Sequence, residues 1–71
     1  MSSIVLNIEE KRLAKGLSKN KLAQRAEMER TQLNKYLNNE IRLIDINVLA
    51  RLCDALECEP SDIISFKRTT Q

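Results

Sequence analysis

The sequence predicts an all-α fold, a single compact bundle of five short helices with a short β-prone run ahead of the first. Three observations predict it. Apolar residues recur at spacings of three and four in successive stretches, the period of one helix face. Residues that start or stop helices stand between those stretches: Gly16, Asn38 with Asn39, Asp45 and Pro60. A chain of 71 residues, 42% of them hydrophobic, can build one small core. No repeat, linker or low-complexity tract marks off a second domain, so residues 1–71 are read as one unit.

Each element has its own local reason. Residues 3–6 hold the β-prone "IVL". Asn7 with Glu10 three residues on has the spacing of a capping box, which opens a first helix running to about Lys15. Gly16, the only glycine, is placed to take the left-handed conformation that ends it. Leu17 and Ser18 start a second helix over about 19–26, with Leu22, Ala23 and Ala26 as its stripe; the alanines let a neighbouring helix approach closely. Glu27, Met28 and Glu29 make a turn. A third helix then spans about 30–37 and buries Leu33, Tyr36 and Leu37. Asn38 and Asn39 end it, because asparagine tolerates the left-handed region better than most residues. Asp45 caps a fourth helix whose apolar face is Ile46, Leu49, Leu52, Cys53 and Leu56. In "EPSDII" Pro60 suits a first helical position and Ile63 with Ile64 anchor a short fifth helix. The tail from Phe66 to Gln71 is either frayed or pairs through "SFK" with "IVL", in the same chain or in a partner.

Composition removes several classes of function. The chain has no histidine, no phosphate-cradling glycine loop and no nucleophile beside a base, so catalysis finds no support. Cys53 and Cys58 lack the partners of a zinc site and read as small apolar residues, so neither a metal nor another cofactor is expected. No small-molecule ligand is evident. No signal peptide or membrane-spanning run is seen, and a cytoplasmic location is expected. With one tyrosine and one phenylalanine, recognition of single strands by aromatic stacking is disfavoured.

The net charge of +2 is unevenly spread. Residues 16–42 hold six Lys or Arg against three acids, net +3, and residues 43–71 hold three against five, net −2. A basic centre suits a polyanion. On the third helix, burial of Leu33, Tyr36 and Leu37 turns Arg30, Thr31, Asn34 and Lys35 outward. A helix fits the major groove of duplex DNA, where arginine and lysine suit guanine, asparagine suits adenine, and threonine suits thymine. At the start of helix two, Ser18, Lys19 and Asn20 offer free N–H groups and a positive dipole end to a phosphate. Each of these positions would otherwise be an ordinary solvated surface. Gln32 lies between the two faces and is left unassigned.

The run "GLSKNKLAQRAEMERTQLNKYLNN" followed by "LARLCDALECEPSDII" resembles the Cro and phage-repressor (Cro/C1) type of helix-turn-helix regulators over residues 8–64, with the motif itself at 18–38. The resemblance implies a five-helix domain of the phage-repressor-like DNA-binding type. It also implies base contacts from Arg30, Thr31, Asn34 and Lys35, and phosphate contacts at Lys19 and Asn38; Ser18, at the helix start, and Arg42 are expected to meet phosphates too. Four positions depart from the family pattern. Glu27 stands where glycine is usual, so it either adopts a strained backbone angle or reshapes the turn. Glu29 replaces the usual Ser or Thr cap, where its carboxylate can still accept from the helix. Asn39 replaces a glycine. Leu37 replaces a glutamate that pairs with the arginine of helix one, so Arg12 needs another partner, stays in solvent or reaches a phosphate. The expected function is that of a sequence-specific repressor on double-stranded DNA, a homodimer on an inverted repeat. The alternative is an antitoxin-like or scaffolding module whose partner is another protein.

Overall fold

The computed structural model describes residues 2–68, and residues 69–71 of the tail lie outside it. The elements run in the order β1 (Ser2–Leu6), α1 (Ile8–Ala14), α2 (Lys19–Arg25), α3 (Arg30–Leu37), α4 (Ile46–Leu56), α5 (Pro60–Ile63) and β2 (Ile64–Arg68). The described residues form five helices, α3 at the expected bounds, with Pro60 in the first turn of α5. The expectation of an all-α fold is corrected by a two-stranded antiparallel sheet, in which Leu6 faces Ile64, Ile4 faces Phe66 and Ser2 faces Arg68. The "SFK" run therefore pairs with "IVL" within one chain.

One core joins the helices. Ile8, Leu22, Leu33, Leu52, Leu56 and Ile63 are fully buried, and Ala23, Ala26, Met28, Tyr36, Leu37 and Val48 close around them. The small Ala23 and Ala26 give α2 a flat face, against which α3 and α4 pack. Tyr36 is core, as its spacing with Leu33 implies. The inward face of α4 differs from the expected one. Ile46 is 79% exposed, and Val48 and Ala55 are buried in the stripe with Leu52, Cys53 and Leu56. Ile46 is the first residue after the cap Asp45, so it lies at the helix tip beyond the reach of the core.

Four turns share one device. After α1, α2, α3 and α4 the chain enters the left-handed region at Gly16 (φ 69°), Glu27 (55°), Asn39 (60°) and Glu57 (54°). Each is followed by the paired backbone bonds of a Schellman motif. After α2, for example, Glu27 N–H donates to the Gln24 carbonyl at 3.2 Å and Met28 N–H to the Ala23 carbonyl at 2.9 Å. Glu27 therefore takes the strained angle and the turn is not reshaped around it, which costs a residue with a Cβ about 1–2 kcal/mol. Arg51 on α4 supports this turn, its Nε donating to the Ala26 carbonyl at 2.8 Å.

Caps and termini bring further corrections. Ser18 accepts from Lys21 N–H at 3.0 Å, and Asp45 accepts from Asn47 and Val48 N–H at 2.8 and 3.3 Å. The capping box expected at Asn7 does not form. Its amide Nδ2 instead donates to Ser65 Oγ at 2.6 Å, and its backbone N–H donates to the Ile63 carbonyl, tying the start of α1 to β2 and to the end of α5. Glu29 makes no side-chain cap either. Arg12 is neither solvated nor free for a phosphate. It forks onto both carboxylate oxygens of Glu9 at 2.7 Å and donates to the Leu17 carbonyl at 2.8 Å, with its side chain 11% exposed. That pairing holds the Glu9 carboxyl below its ordinary range and raises the Arg12 guanidinium.

Candidate nucleic-acid interface

The interface is built on α3. Leu33, Tyr36 and Leu37 anchor its inner side, so Arg30, Thr31 and Lys35 stand exposed and Asn34 half-exposed on the other. Gln32 is exposed as well. These side chains project from a rigid helix held at both ends by Schellman turns, so their positions follow from the fold of the whole domain.

Arg30 is not loose. Its guanidinium donates to the side-chain oxygen of Asn20 on α2, which orients it at the start of α3. Asn20 was read from the sequence as part of a phosphate-facing helix start; its role in holding Arg30 needs the packing of α2 against α3. Lys19 and Lys21 are exposed on α2, and Ser18 keeps its hydroxyl hydrogen while its oxygen caps the helix. Asn38 is exposed at the end of α3, and Arg42 lies in the connection that follows, lining a groove with Ile41 and Ile44. The eight expected contact residues thus fall on two adjacent helices, the end of α3 and the segment after it.

Asn39 has a part that sequence reasoning missed. Its Oδ1 accepts from Leu6 N–H at 2.6 Å and its Nδ2 donates to the Leu6 carbonyl at 3.0 Å. One amide thereby clasps both polar groups of a strand residue and joins the two-stranded sheet to the end of α3. The tolerance of asparagine for a positive φ was legible; its long-range partner, 33 residues away, was not.

The remaining chemistry is inert. Cys53 and Cys58 are free thiols whose pKa values are raised, first by burial, so both stay protonated and weakly nucleophilic at neutral pH. Among the described residues there is no group of three potential metal ligands, and no helix long and apolar enough to cross a membrane.

A polar helix standing proud of a second helix, joined by a tight turn and seated on a small core, defines a helix-turn-helix domain. Comparison with known proteins makes the family explicit: residues 7–68 match the family model of the Cro/C1-type HTH DNA-binding domain, and the chain belongs to that family. It is similar to an uncharacterized HTH-type transcriptional regulator, YozG, of Bacillus subtilis (strain 168), with 28% identity over 65 residues that cover 92% of this chain and 77% of the relative. Its structure is similar to the crystal structure of the restriction-modification controller protein C.AhdI from Aeromonas hydrophila, with a TM-score of 0.71, 28% identity, and coverage of 79% of this chain and 83% of that one.

Proposed function

We propose that this chain is a sequence-specific repressor that binds an inverted-repeat operator in double-stranded DNA as a homodimer. The whole of 1–71 acts as one DNA-binding domain in the cytoplasm, without a cofactor, a small-molecule ligand or a catalytic step. The recognition helix α3 enters the major groove, where Arg30, Thr31, Asn34 and Lys35 meet base edges. Ser18, Lys19, Asn38 and Arg42 grip phosphates on either side. The observation that carries this reading is the outward side of α3: four polar side chains of the types that pair with bases, on a helix whose opposite side is buried. One domain covers half a site, and two-fold symmetry matches a second half one helical turn away, about 34 Å.

The test is binding to duplex DNA over a range of salt. A protein that neutralises several phosphates loses affinity steeply as salt rises, with a log–log slope of about −0.9 per phosphate. Lys19→Ala is expected to weaken all duplexes alike and to flatten that slope by about one such unit. Absence of duplex binding even in dilute salt would favour the protein-partner module instead.

A further inference from the structure

Two residues at the helix starts of the motif are joined side chain to side chain. Asn20 is the second residue of α2 and Arg30 the first of α3; both are exposed, and the Arg30 guanidinium donates through Nη1 to Asn20 Oδ1. The polarity of that bond follows from chemistry. A guanidinium has only donors, so the amide must turn its oxygen toward Arg30, which leaves its NH2 group unpaired among the described residues. The pair therefore offers a ligand donors alone: the amide N–H groups and the guanidinium N–H groups that the bond leaves over. The residue that holds Arg30 is also neutral. Glu29 precedes Arg30 in the chain, yet among the described residues the guanidinium makes no ion pair, so its positive charge is left for whatever meets α3.

We infer that Asn20 is a positioning residue for base readout, and that the pair it forms with Arg30 selects guanine. This deepens the function proposed above and rests on it. Guanine is the one base whose major-groove edge sets two acceptors, N7 and O6, side by side. Adenine places an amino donor beside N7, cytosine offers an amino donor, and thymine has one acceptor beside a methyl group. A cluster of donors alone pairs twice with guanine and meets a donor or a methyl group on every other base. The hold on Arg30 matters because a free arginine spreads over many rotamers, including those that reach a phosphate, where it carries no sequence information. The bond to α2 removes those alternatives before DNA arrives, and the turn at Glu27 fixes the spacing of the two helices. Asn20 thus acts through Arg30, unlike its neighbour Lys19, whose proposed contact is a phosphate.

Sequencing the duplexes that the full chain retains from a random pool tests the inference at the position where Arg30→Ala erases the preference. The wild type should favour guanine there by about tenfold or more. Asn20→Ala should cut that factor by roughly two- to tenfold, the gain from fixing one long side chain in advance, and leave the other positions unchanged. Added to Arg30→Ala, it should remove nothing further at that position. Asn20→Asp keeps the acceptor and should keep the preference, while its negative charge weakens all duplexes alike. Neither substitution at position 20 should lower the thermal melt, because the residue is exposed. The hold itself is read without DNA: the NMR signals of the Arg30 guanidinium should shift in Asn20→Ala. Unmoved signals, an unchanged guanine preference in Asn20→Ala, its loss in Asn20→Asp, or a different base at the Arg30 position would overturn the inference and leave the DNA reading intact. A wild type that retains no duplex, with the guanidinium signals still dependent on Asn20, would overturn the DNA reading and the choice of guanine with it.

Discussion

Glu27, ahead of α3, and Asn39, behind it, hold nearly the same backbone angle, φ 55° and 60°, and close the same kind of turn. Their side chains differ in what they return. Asn39 makes two hydrogen bonds to Leu6 and so fastens the two-stranded sheet, whereas Glu27 is exposed and makes no side-chain hydrogen bond among the described residues. A strained angle is thus kept for two reasons: at one end because the side chain does something, at the other because the surrounding packing, including Arg51 on the Ala26 carbonyl, fixes the turn regardless.

The largest expected effect falls on the helix between the two turns. Leu33→Ala should cost about 2–5 kcal/mol by opening a cavity at a fully buried site, a large share of the stability of so small a domain. Denaturant unfolding reads it, and an unchanged midpoint would mean that α3 is not seated as described. Next comes Asn39→Ala, which removes two hydrogen bonds and keeps the strain, at about 2–3 kcal/mol. Asn39→Gly should lose less, because glycine relieves the angle. Glu27→Gly should have the opposite sign and stabilise by up to about 1 kcal/mol, the relief of strain being partly offset by the entropy of glycine in the unfolded chain. If Asn39→Gly and Glu27→Gly moved the melting temperature in the same direction, the distinction between the turns would fail.

The smallest effect concerns acid. The carboxyl of Glu9 is held below its ordinary range by its hydrogen bonds to Arg12, so the folded state favours its charged form. The resulting stability is present above the ordinary glutamate pKa and is lost as pH falls through the lowered one. Melts of wild type and Glu9→Gln should therefore differ at neutral pH and converge below that range; a gap that widened in acid would contradict the pairing.

Much of this was legible in the sequence because local rules and packing agree there. Spacing alone placed α3, the turn glycine and the Asp45 cap, since each depends on residues within a few positions. What spacing missed depends on distant partners. Asn7 has the sequence of a cap, but a strand that arrives 58 residues later takes its amide. Ile46 fits the apolar period, but it sits beyond the end of the core. Arg12, without the glutamate that the family resemblance implies at position 37, pairs with Glu9 one turn away, a pairing that the sequence permitted without singling it out. For the outward side of α3 the placement was legible, and the orientation of Arg30 by Asn20 was not.

The central claim is that the outward side of α3 reads base pairs. Selection of bound duplexes from a random pool, run in parallel for wild type and Arg30→Ala, tests it most directly. The account predicts an inverted repeat from the wild type, and from the variant the same repeat with preference lost at one symmetry-related position in each half. Two identical motifs, or no enrichment with the wild type, would contradict it.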